Sequence, residues 1–85
     1  MNTILVNTVL GKVENIEEIL PQEFAVVAAL KEEGALAHLF IKDAMGGAVL
    51  IFNETDQDKV QKLLARFPLY KYFEKIEYTL LNQQF

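Results

Sequence analysis

The chain contains no cysteine. Disulfides, thiolate metal sites and thiol nucleophiles are therefore all excluded. It contains one histidine, His38, so no multi-histidine metal site can be assembled within one chain. Basic residues are few, eight against twelve acidic, and the net charge is −4. The closest basic clusters are Lys59 with Lys62 and Lys71 with Lys75. Binding to nucleic acid needs clustered lysine and arginine to neutralise phosphates, so no nucleic-acid partner is expected. No apolar run reaches the roughly 18 residues of a membrane helix, so no membrane partner is expected either. The opening stretch MNTILVNTVLGKVEN lacks a basic region and a small-residue cleavage site after its apolar run. A cytoplasmic location is the expectation.

What is abundant is apolar side chain. The hydrophobic share is 52% in only 85 residues, which sets the expectation of a single domain over residues 1–85. A chain this short buries only about 60–65% of its unfolded surface. Without disulfides or a metal, association is the remaining route to further burial. The apolar excess fits a surface hidden against a second copy.

Thr3 to Leu10 is rich in β-branched residues and apolar on both faces. Ile4, Val6, Thr8 and Leu10 alternate with Leu5, Asn7 and Val9. The pattern predicts a central strand. Val13 to Gly34 has helical periodicity, but Pro21 restricts Leu20 away from the helical region. The expectation is a helix that stops or bends there, with Pro21 opening a second helix and Glu23 in its first turn. Phe24, Val27, Ala28 and Lys31 form a stripe of that helix, with Ala25, Val26, Ala29 and Leu30 beside it. Gly34 is the expected stop.

Ala35 to Lys42 predicts a strand with Leu36, His38 and Phe40 on one face and Ala37, Leu39 and Ile41 on the other. Asp43 to Gly47 is turn-like, with Gly46 and Gly47 supplying positive φ, and Ala48 to Asn53 returns as the second arm of a hairpin. Thr55 is the expected cap of a helix that buries Val60, Leu63, Leu64 and Phe67. Pro68 stops it, and Tyr72 to Leu81 forms a last strand whose Lys and Glu residues fit an edge. The terminal Phe85 reads as a frayed end or a docking residue.

Strand, helix, strand, strand, helix, strand is the order of an α+β ferredoxin-like βαββαβ fold, with both helices on one face of a four-stranded antiparallel sheet. The other face is apolar and uncovered. Packed against its counterpart in a second copy, it makes a homodimeric α/β barrel.

From Gly34 onward the chain resembles the muconolactone isomerase family. The features that carry the resemblance are Gly34, the strand around His38-Leu39-Phe40 and the small-residue turn before Ala48. To these are added Leu63-Leu64, Phe67-Pro68-Leu69, Tyr70, Tyr72-Phe73 and Ile76-Glu77-Tyr78. Leu20-Pro21 is a weaker match. Most of these are packing residues, so the resemblance speaks chiefly to fold. It implies ferredoxin-like subunits that dimerise and can assemble further. It also implies cofactor-independent transfer of a proton that shifts a double bond in a small lactone, with no metal or organic cofactor. The first third of the chain departs from the pattern.

His38 is the natural candidate acid or base, being the one side chain that ordinarily titrates near neutrality. Its alternative is a structural histidine at a strand edge or subunit interface. Tyr70, Tyr72 and Tyr78 are candidates to donate hydrogen bonds to a substrate carbonyl or phenolate; their alternative is amphipathic packing. Asp43 reads as a turn former, Glu74 and Glu77 as solvated or interface charges. Glu14, Glu17 and Glu18 read as a solvated helix face rather than a cation site. Three functions stay open. One is an isomerase-like enzyme acting on a small lactone or carboxylated molecule. The second is a non-catalytic dimeric ligand-binding or assembly module, and the third a cofactor-free monooxygenase-type enzyme on aromatic substrates.

Overall fold

The computed structural model describes residues 2–43, 46–82 and 84. Strand β1 (Asn2–Leu10) leads into helix α1 (Ile16–Glu32). A hairpin of β2 (Leu36–Ile41) and β3 (Ala48–Phe52) follows. Helix α2 (Gln57–Leu64) then leads through a 3₁₀ turn (Tyr70–Tyr72) into β4 (Phe73–Asn82). The sheet is antiparallel throughout, in the order β2-β3-β1-β4. This is the expected ferredoxin-like arrangement, with β1 central and β4 at an edge. Phe85 lies outside the described residues.

Alternation along β1 assigns the two faces. Ile4, Val6 and Thr8 are buried, while Leu5, Asn7 and Val9 are only partly covered. The inner residues Ile4, Val6, Leu50 and Phe52 pack against Leu30 of α1 and Val60 and Leu64 of α2. Both helices therefore cover one face. The outer face carries Leu5 and Val9, with Val49 and Ile51 beside them on β3 and Leu81 opposite Thr3 on β4.

Three local expectations are corrected. First, α1 is one continuous helix and Pro21 lies inside it. Pro21 removes one backbone donor, but it and Glu17, whose carbonyl loses that bond, are both exposed, so water can satisfy the carbonyl. The sheet-facing stripe consequently runs Leu20, Glu23, Val27, Leu30, and Phe24 and Ala28 turn outward. Second, β2 does not alternate strictly. Its register against β3 shifts between Leu36 and His38. Leu36 stands opposite Phe52 and Leu39 opposite Leu50, so both face inward, while His38 and Phe40 face outward opposite Ile51 and Val49. Third, the cap of α2 is Asp56, whose side chain accepts from the Asp58 N–H at 2.9 Å, rather than Thr55.

Two glycines answer to definite needs. Gly34 has φ 80° and closes α1. The Gly34 N–H donates to the Lys31 carbonyl and the Ala35 N–H to the Leu30 carbonyl, the paired bonds of a Schellman end. Gly47 takes positive φ, at 142°, as the turn requires. A Cβ on Gly47 would collide with the Thr8 carbonyl oxygen. Ala44 and Met45 of the same turn lie outside the described residues.

Candidate active site

The inner face is unevenly filled. Towards one end Phe52, Val6, Leu30, Val60 and Leu64 are sealed from solvent. Towards the other, the inward backbone positions are Thr8, Gly47 and Ala48, all small. The Thr8 hydroxyl is engaged twice, donating to the Ala48 carbonyl at 3.0 Å and accepting from the Ala48 N–H at 2.9 Å. Its one proton is thereby committed to Ala48. The shortage of side-chain volume leaves a cavity of about 150 Å³ between α1 and the sheet, closed at its far side by the Phe67-Pro68-Leu69 corner and Phe73. Phe24 and Ile41 also line it, and both are about half exposed, so the cavity reaches the surface beside them.

One charged residue lines this cavity among the described residues, and it is Glu23. Its position follows from the continuous helix, which puts residue 23 on the stripe between Leu20 and Val27. Pro68 turns the chain after α2 and leaves the Leu69 N–H without a backbone acceptor. That N–H donates to Glu23 Oε1 at 3.1 Å. No other hydrogen bond to the carboxyl occurs among the described residues. The group is half-buried. Burial pushes its pKa above the ordinary glutamate value, and the Leu69 N–H draws it partly back. A carboxyl raised in this way, in an apolar cleft, suits acid–base chemistry.

The four residues singled out from the sequence lie elsewhere. His38 is exposed on the outer face, its ring stacked on Phe40 with centroids 6.3 Å apart. Tyr70 meets Phe73 edge to ring at 6.5 Å and borders a shallow depression with Asp58, Gln61 and Lys62 of α2. Tyr78 packs against the core; burial first, and then the neighbouring Tyr70, raise its pKa. Tyr72 lies beside Lys12, Glu14 and Asn15, with the Lys71 ammonium 5.3 Å from its ring centroid. The structure thus brings Tyr70 and Tyr78 near one another and keeps His38 and Tyr72 apart from them.

The chain has the muconolactone isomerase fold. A crystal structure of muconolactone isomerase superposes with a TM-score of 0.76 at 20% identity, covering 99% of this chain and 91% of the other. An antibiotic biosynthesis monooxygenase gives 0.66 at 18% identity, covering 98% of each chain. The 5-chloro-2-hydroxyhydroquinone dehydrochlorinase of Burkholderia phenoliruptrix AC1100, solved with 2,5-dihydroxybenzoquinone, gives 0.62 at 13% identity, covering 93% and 91%. No family model matches the chain, and no curated protein matches its sequence. At these identities the likeness establishes a shared fold on which different chemistries are built. Among the described residues no group of His, Asp and Glu is placed to hold a metal ion, and no helix is long and apolar enough to cross a membrane.

Glu23 was the residue that sequence reasoning missed. The signal was present as an acid at helical spacing between Leu20, Val27 and Leu30. Reading Pro21 as a helix start hid it, because Glu23 in a first turn was accounted for by the helix dipole.

Proposed function

We propose that the chain is a cofactor-independent acid–base enzyme of the isomerase type, with the cavity between α1 and the sheet as its binding site. The observation that carries this reading is the half-buried Glu23 carboxyl in an otherwise apolar cleft. In the proposed reaction the Glu23 carboxylate takes a proton from a carbon next to a carbonyl. The protonated carboxyl then returns it to the far end of the conjugated system, which moves a double bond without net gain or loss of atoms. The Leu69 N–H holds Oε1 and limits rotation of the group. The lining supplies no charged donor for the anion formed between the two transfers, so substrates whose anion is already delocalised are favoured. A dihydroxybenzoquinone on one structural neighbour supports small conjugated rings as ligands of this fold.

Deuterium wash-in from D₂O into small enolisable ketones and lactones, followed by proton NMR, tests the reading. Glu23→Gln keeps an acceptor for the Leu69 N–H and removes the base. Exchange is expected to fall by about 10²–10⁴-fold. Equal exchange by both proteins would remove Glu23 from the chemistry.

Self-association through the outer face belongs to the same proposal. Leu5, Val9, Val49 and Ile51 are apolar there, and Phe40 is 59% exposed. In this reading His38 and Phe40 serve the contact between two copies, and the tyrosines serve packing. Sedimentation of the wild type as a dimer, and of Phe40→Glu as a monomer, is expected. A wild-type monomer at low micromolar concentration would contradict it.

A further inference from the structure

We propose that the cavity takes an uncharged single-ring compound carrying a hydroxyl or carbonyl group, and that it rejects the carboxylated counterpart of the same ring. This rests on the cavity being the binding site and goes further in stating what enters it.

The charge argument comes from what surrounds the cavity. A ligand carboxylate entering it needs a cation, best supplied by the bidentate fork of an arginine. The chain has a single arginine, Arg66, and Glu33 occupies it through two bonds of 3.1 and 3.2 Å on the surface. None of the seven lysines, and not His38, lines the cavity. What a carboxylate would meet instead is Glu23. Two like charges about 5 Å apart at an effective dielectric of about 20 weaken binding on the order of a hundredfold. Proton uptake by Glu23 would relieve part of this, leaving an expected penalty of about tenfold or more. A phenolic or enolic hydroxyl has no such conflict, because it can donate to the carboxylate.

The size argument comes from the volume. A cavity of about 150 Å³ lined mostly by Leu, Ile and Phe is the size that accommodates benzene. One ring fits; a fused polycycle would have to project past Phe24 and Ile41 into solvent.

The test uses the full chain, labelled with ¹⁵N, at pH 7. Two compounds that differ at one substituent, 4-methylphenol and 4-hydroxybenzoate, are titrated while backbone amide shifts are followed. 4-Methylphenol is expected to shift the amides of Val27, Leu39, Ala48 and Leu69. 4-Hydroxybenzoate is expected to bind there at least about tenfold more weakly. In Glu23→Gln, which keeps the bond from Leu69, the gap is expected to narrow to a few-fold. Equal binding of both compounds in the cavity would overturn the charge selection and leave the binding site standing. A gap unchanged by Glu23→Gln would overturn Glu23 as its source. If neither compound shifts cavity amides, the binding site itself falls, and this inference with it.

Discussion

The two ends of the layer between sheet and helices are built from the same strands but filled differently. At the packed end β1 and β3 point Val6 and Phe52 inward, and α1 and α2 meet them with Leu30, Val60 and Leu64. At the open end the same strands present Thr8 and Ala48, with Gly47 just before β3, and α1 presents Glu23. The packed end holds the fold together by burial. The open end holds its shape by backbone hydrogen bonds and close backbone contact, which keeps space free without collapse. Stability and ligand space are thus concentrated at different ends of the layer, with Leu50, Leu64 and Phe67 serving both as core residues and as cavity wall.

The largest effect that would sharpen this contrast is expected at the packed end. Phe52→Ala should lower unfolding free energy by about 3–5 kcal/mol in urea titrations. That is a large part of the roughly 4–13 kcal/mol expected for a chain of this length. A loss below about 1 kcal/mol would mean that Phe52 is not the anchor its burial indicates.

Next comes Gly47→Ala at the open end. The residue would need positive φ and would press its Cβ on the Thr8 carbonyl, so a loss of about 2–3 kcal/mol is expected. Tolerance of alanine would break the claim that this end is shaped by close backbone approach. Thr8→Val should cost about 1–3 kcal/mol, because the Ala48 N–H and carbonyl both lose their partner while shape is kept.

The smallest effect is the pH dependence of Glu23. Its folded-state pKa lies above the unfolded one, so the folded state binds the proton more tightly. Stability is therefore greatest below the ordinary glutamate pKa and declines as pH rises from there through the raised value. Glu23→Gln should remove this component from the pH profile of the denaturation midpoint. Glu33 works in the opposite sense, since its hydrogen bond to Arg66 lowers its pKa. A component of the opposite sign at Glu23 would show that the Leu69 N–H outweighs burial.

Much of the fold was readable because it is local. Alternation in Thr3 to Leu10, the stop at Gly34 and the corner around Pro68 each depend on residues close in the chain, and each is found, although α2 already ends at Leu64 instead of running on to Pro68. The misreadings have a common form. Pro21 looks like a helix boundary by local sterics, yet the exposed side of α1 tolerates the missing bond. Strict alternation puts Leu36 with His38, yet the register shift against β3 separates them. In both, partners distant in sequence override the local preference.

By itself the sequence determined the element order, the central place of β1, the edge character of β4 and the excess of apolar surface, because period, branching and turn chemistry act over a few residues. It also excluded thiol chemistry outright. Only the tertiary structure decided where the space lies and which charge faces it. Glu23 comes to an apolar cavity through the continuity of α1, the corner that frees the Leu69 N–H, and the small residues of β1 and β3 opposite. Those three contributions come from separate parts of the chain and meet only when the layers close.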